Sequence, residues 1–184
     1  YWDSQANKKD KILIVGLGSV GLLTAYFFSL KGYKNLYVTD LNQNKKKIAK
    51  KLSLNFIDFR KVDNFDCMIN TTSSYKVLND CFTKLNLDGK LIEASWYGNK
   101  IGKINLGNDF HSKRLKIISS QVSNLPAHKQ KKHNYKSRLK IAIDALSSDK
   151  VMALINSNSN FKNLESDYIS ILNNENIIIH AIKY

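Results

Sequence analysis

The chain has 184 residues, a size that supports one ordinary domain with a sizeable core. It carries 29 Lys and Arg against 15 Asp and Glu, a formal charge of +14. Nearly all of the cations are lysine, with only Arg60, Arg114 and Arg138 as arginine. Arginine is the side chain best suited to bidentate base and phosphate contacts. The excess of Lys, Asn and Ile is therefore read as A/T-rich codon usage, and no nucleic-acid partner is expected. No apolar run reaches the length of a membrane span, and there is no basic-then-apolar leader, so no membrane partner is expected. Cys67 and Cys81 are isolated and fit a reduced, cytoplasmic interior better than a disulfide framework.

Residues 1–10 are polar and read as a lead-in. The start without methionine points to sequence upstream of Tyr1. Lys11–Val15 reads as a first strand. Behind it stand Gly16, Gly18 and Gly21 at GxGxxG spacing, and then a helix-forming run from Val20 to Leu30. In the dinucleotide-binding reading each glycine has a separate task. Gly16 makes the turn, Gly18 lets a pyrophosphate approach the backbone, and Gly21 lets the helix pack closely on the sheet. The strand-before, helix-after context is what this short motif requires.

Leu36–Thr39 is the second strand and ends on Asp40. A carboxylate there accepts the adenosine ribose hydroxyls and repels a 2′-phosphate, which favours NAD over NADP. A helix from Gln43 to Leu52 follows. Its lysine run is mostly a solvated face, with Lys45 near enough to Asp40 to flank the adenine. Leu54–Ile57 is a short third strand. Cys67–Asn70 is the fourth, ending on Thr71, Thr72, Ser73 and Ser74, small hydroxyl residues on the crevice side of a parallel sheet. Ser73 or Ser74 also suits the N-cap of a helix over Tyr75–Leu85. Asp88-Gly89 reads as a turn into a fifth strand, Lys90–Ala94, followed by Ser95 and Trp96. A short strand is expected at Lys103–Leu106 and a sixth core strand at Leu115–Ser119. A helix over Tyr135–Leu146 carries Leu139, Ile143 and Leu146 on one face. Val151–Asn156 reads as a strand, Leu164–Leu172 as a helix and Asn176–Tyr184 as a closing strand. Alternating strands and helices predict an α/β fold, a doubly wound parallel sheet with six core strands in order 3-2-1-4-5-6 and helices on both faces.

Several stretches taken together resemble the cofactor-binding domain of the medium-chain dehydrogenase/reductase superfamily, the zinc-dependent alcohol and threonine dehydrogenase-like enzymes. They are Val15–Leu23, Val38–Asp40, Phe65–Thr71, Leu87–Ala94, and the tail through Val151–Ile155 and Phe161–Leu164. The resemblance implies a Rossmann-type NAD(P)-binding domain over residues 1–184 with a C-terminal return segment. It implies that Gly16, Gly18, Ser19, Val20 and Gly21 hold the pyrophosphate and Asp40 the ribose. Thr71, Thr72 and Ser73 would line the crevice, Ser95 and Trp96 would offer backbone groups to the carboxamide, and Ser119 would lie at the next strand end. His180 falls near a basic position that reaches the pyrophosphate in such enzymes. The implied activity is oxidoreductase chemistry, hydride transfer between NAD(H) and a small alcohol or carbonyl substrate, with a homodimer as a compatible assembly.

Catalytic residues and zinc ligands are implied only for a GroES-like domain not contained in these residues. His111, His128, His133 and His180 form no ligand motif with the two cysteines. A free-standing NAD-binding regulatory module is the alternative reading. A short-chain dehydrogenase is excluded by the lack of a Tyr-xxx-Lys motif, and a methyltransferase fits the tail poorly.

Overall fold

Ile12–Val15 forms β1, and all four side chains are buried. A central parallel strand is covered on both faces, so a continuous apolar run is what it requires. The computed structural model describes residues 1–184. The chain continues through α1 (Ser19–Leu30), β2 (Leu36–Thr39), α2 (Lys45–Lys51), β3 (Asn55–Phe56), β4 (Phe65–Asn70), α3 (Tyr75–Lys84) and β5 (Leu85–Glu93). It then forms α4 (Asn108–Ser112), β6 (Lys116–Ser119), α5 (Ala127–Gln130), α6 (Tyr135–Leu146), α7 (Asp149–Met152), β7 (Ile155–Asn160), α8 (Leu164–Asn173) and β8 (Ile179–Lys183).

Six strands make one parallel sheet in the order β3-β2-β1-β4-β5-β6. This is the predicted order. In β1, Ile12 lies opposite Leu36 and Cys67, and Val15 opposite Thr39 and Asn70. The period of two divides the strand between two cores. Ile12 and Ile14 point with Val38, Ile69 and Ile92 toward α1, where Leu22, Ala25 and Phe28 meet them. Leu13 and Val15 point with Met68 and Leu91 toward Leu78, Cys81 and Phe82 of α3. Each fully buried large side chain contributes roughly 1.5–3 kcal/mol of transfer free energy. The strand ends that carry Gly16, Asp40, Thr71 and Ser95 therefore rest on a packed, two-sided base.

Three expectations are corrected. Asp88-Gly89 is not a turn before the fifth strand but an irregularity inside it. Between Phe65 and Cys67 of β4 the partner on β5 jumps from Leu85 to Lys90, and Asp88 has φ +60°. Lys103–Leu106 forms no strand. Asn79 of α3 donates to Lys103 O (3.0 Å) and accepts from Asn105 N–H (2.7 Å), so its amide takes the backbone groups a ladder would use. Val151 lies in α7 and not in a strand, because the Ser148 side chain caps that turn by accepting from Lys150 N–H. The strand begins only at Ile155. β7 pairs in parallel with β8 as a separate two-stranded sheet, with Ile155 opposite Ile179 and Ser157 opposite His180. No helix is long and apolar enough to cross a membrane.

Candidate functional site

The glycine loop leaves β1 at Gly16, whose φ of +94° is a conformation L side chains rarely adopt. Gly21 is required for a different reason: a Cβ there would stand 1.9 Å from Gly16 O. Gly18 differs from both. It is exposed, its φ is −70°, and an added Cβ would meet nothing within 4 Å. The space beside Gly18 is open to a ligand. Gly18 is also the N-cap of α1 and makes no side-chain cap, so the first-turn N–H groups of Ser19, Val20 and Gly21 have no intrahelical acceptor. These donors and the positive end of the helix dipole face the same space.

Asp40 at the end of β2 is half-buried and tied to the loop. Its Oδ2 accepts from Leu17 N–H (2.6 Å) and its Oδ1 from Asn42 N–H (2.7 Å). A carboxylate oxygen has two acceptor positions, so one remains on each oxygen for a ribose hydroxyl. Lys45 is buried rather than solvated. Burial pushes its ammonium pKa down from the ordinary lysine value, opposed by the carboxylates of Asp40 and Glu175.

The hydroxyl residues past β4 are turned inward. Thr71 Oγ1 donates to Gly16 O (2.9 Å) and is 3.1 Å from Val15 O, so it clamps the glycine turn. Thr72 Oγ1 donates to Asn70 Oδ1 (2.7 Å). Ser73 N–H donates to Ser95 Oγ (3.0 Å), and Ser73 Oγ reaches Trp96 O at 3.4 Å. Ser74, not Ser73, caps α3. The Ser95 N–H donates to Glu93 Oε1 (2.9 Å). The Trp96 side chain is 90% exposed. Ser119 lies opposite Glu93 on the edge strand and is exposed. Gly16, Gly18, Asp40 and Thr71 are thus brought together at one place, while Trp96 past β5 and Ser119 at the end of β6 are exposed. His180 lies in the second sheet with its ring between Ser157 Oγ and Ser159 Oγ, each at 2.9 Å.

Three polar residues at the strand ends were not singled out by the sequence pattern. Asn70 is fully buried, and its Nδ2 donates to Glu93 Oε2 (2.7 Å). Tyr97 OH donates to the same oxygen (3.1 Å). Burial, then the adjacent Glu93 carboxylate, pushes the Tyr97 phenol pKa up, so it keeps its proton. The available signal was a polar residue closing each of two apolar strands. A cavity of about 520 Å³ lies elsewhere, at the far end of α1, lined by Tyr26, Ser53, Ser148 and Lys150 among others. No group of three or more His, Cys, Asp or Glu side chains is placed to hold a metal ion.

Comparison of this fold with solved structures gives dehydrogenases. The 2R,3R-butanediol dehydrogenase of Bacillus subtilis superposes with a TM-score of 0.76 at 15% identity, over 98% of this chain and 52% of that one. A protein described as a short chain alcohol dehydrogenase of Escherichia coli CFT073, complexed with NADH, gives 0.75 at 18% identity, over 98% and 54%. Glucose dehydrogenase of Haloferax mediterranei, in complex with NADP, zinc and gluconolactone, gives 0.70 at 17%, over 97% and 52%. The chain has the Rossmann-type fold that these dehydrogenases carry. It spans about half the length of each. No protein-family model and no curated protein matches the sequence. In a Rossmann-type sheet the crevice lies outside the carboxyl ends of the strands, which is where Gly18 and Asp40 meet.

Proposed function

We propose that this chain is the NAD(H)-binding part of an oxidoreductase that transfers hydride between the nicotinamide and a small alcohol or carbonyl substrate. One observation carries the reading: the space beside Gly18 is open, and it is bounded by uncapped α1 N–H groups on one side and the Asp40 carboxylate on the other. Ser19, Val20 and Gly21 would hold the pyrophosphate through their N–H groups. Asp40 would accept the ribose hydroxyls, held in place by Leu17 N–H. Thr71 would keep the loop in shape from behind. Ser73, Ser95, Trp96 and Ser119 border the crevice toward β6, where the nicotinamide half of an extended dinucleotide would lie. The bound nicotinamide supplies the hydride chemistry. The half-length match to zinc-bound dehydrogenases supports a substrate and metal site carried by a partner domain of GroES-like type, with residues 1–184 as the nucleotide domain. The side chains here do not fit a metal ion.

The test is titration with NADH and NADPH, followed by protein fluorescence or calorimetry. NADH binds, and NADPH binds more weakly because the Asp40 carboxylate opposes a 2′-phosphate. Asp40→Asn keeps an acceptor for Leu17 N–H and removes the charge, so it narrows the difference between the two. Equal affinity of the two nucleotides for the native chain contradicts the role given to Asp40. Failure of both to bind contradicts the whole reading.

A further inference from the structure

The stretch from Phe110 to Ile143 contains no acidic residue. Lys129, Lys131, Lys132, Lys136 and Arg138 crowd into α5, α6 and the link between them, and none takes part in an ion pair. Such a cluster without counter-charges raises its own electrostatic energy, and an anion relieves it. A cavity of about 190 Å³ opens beside Arg138. Trp2 and Phe27 give it aromatic walls, Gln121 and Asn124 close the loop side, and Arg138 and Ala142 of α6 complete the lining. Its volume is below the roughly 300–1,000 Å³ of ordinary ligand pockets, so it suits a single small ring and not a nucleotide.

Of these charges, Arg138 lines the space and Lys129 borders its Trp2 wall. Arg138 donates from Nη2 to Val122 O (2.6 Å) and stacks over Tyr135 at 5.3 Å. A guanidinium has five N–H donors, so most of the fork remains for a planar, bidentate acceptor. Lys129 Nζ lies 5.7 Å over the Trp2 ring, and the His133 ring packs against it, tilted by 35°, at 4.8 Å. The acidic lining residue, Asp3, already accepts from Ser120 Oγ at 2.6 Å and makes no ion pair with Arg138.

From this geometry we infer a second small-molecule site, separate from the dinucleotide crevice, that takes an aromatic or planar carboxylate. The ring lies between Trp2 and Phe27, and the carboxylate meets Arg138. The inference does not depend on the nucleotide reading.

Benzoate is the probe, titrated into the ¹⁵N-labelled chain while the Trp2 indole and Arg138 Nε resonances are followed. Saturable shifts at both groups are expected, and Arg138→Gln weakens binding by roughly tenfold or more. Arg114→Gln, at an exposed residue paired with Asp88, changes nothing. Because Arg138 also holds Val122, Ala142→Phe serves as a second variant. It fills the cavity from α6 without touching the charge and abolishes the shifts while circular dichroism is unchanged. No saturable shift with benzoate overturns the site, as does persistence in both variants. Equal shifts with neutral benzamide or with inorganic phosphate overturn the assignment to a planar carboxylate. Repeating the titration with NADH present separates the two readings: benzoate binding without NADH binding leaves this site standing and the crevice reading refuted.

Discussion

Gly18 and Gly21 are identical residues three positions apart with opposite physical roles. At Gly21 an added methyl group would overlap the Gly16 carbonyl, and backbone cannot yield as a flexible side-chain tip can. At Gly18 the methyl group meets nothing, and the residue's φ of −70° suits alanine. The two variants therefore separate folding from binding. Gly21→Ala destabilises the chain by at least the ~1–3 kcal/mol typical of overpacking, read as a lowered urea midpoint. Gly18→Ala leaves stability within about 0.5 kcal/mol of the native value and, if the proposed cradle is right, weakens NADH binding by roughly tenfold or more, because its Cβ would occupy the phosphate approach. A Gly18→Ala chain that binds NADH like the native one would show that the loop cradles no phosphate.

Ser73 and Ser74 make the same point for an element. The sequence offers either as the cap of α3, and the backbone decides. Ser73 sits at φ +52°, whereas Ser74 is extended and its Oγ accepts from Val77 N–H at 3.3 Å. Ser74→Ala should cost about 1 kcal/mol in chemical denaturation, with nucleotide affinity retained if the helix only anchors the crevice floor. The elements that sequence resolved well are those whose residues carry one period throughout. β1 and β4 are apolar runs, and α1 is bounded by glycines, so each was legible to within a residue or two. The failures lie where a long-range partner outcompetes local pattern. Asn79 takes the backbone of 103–105, and the Ser148 cap turns Val151 into helix. At the candidate site, the glycine turn and the strand-end position of Asp40 were legible because spacing and strand–helix context mark them together. The inward turn of Thr71 and the Asn70–Glu93–Tyr97 network were not, since each bond joins residues more than one element apart, except for the local Tyr97–Glu93 contact. The apolar stripe on α6 was read correctly as a face, yet Leu139 and Ile143 are 60% and 53% exposed. Periodicity identifies a face and is silent about what covers it.

At the scale of the whole molecule, the two sides of the sheet each bury a thiol. Cys67 on β4 and Cys81 on α3 are fully inaccessible. Burial pushes the Cys67 thiol up to about 12 from an ordinary value of 9.0, and Cys81 moves in the same direction. Tyr33, which donates to Ala6 O at 2.7 Å, is pushed up to about 12 from 10.0, again chiefly by burial. All of these groups hold their protons more tightly in the folded chain than in the unfolded one. Above pH 9 the unfolded chain therefore releases protons first, and ν_U falls below ν_N. Stability from these groups is complete below pH 9 and declines as pH rises toward about 12, where the folded groups would ionise. The contribution of these groups to urea midpoints measured from pH 7 to pH 11 should be flat at first and then fall from about pH 9, opposed by buried Lys45, whose lowered pKa acts in the other direction. Cys67→Ala should make the early part of that fall shallower while lowering the midpoint at pH 7 through the space it leaves. The same argument makes both thiols inert to a disulfide-exchange reagent at pH 8 in the native state and reactive in urea. Rapid native-state labelling of either thiol would mean that the two cores are not closed as the sheet requires.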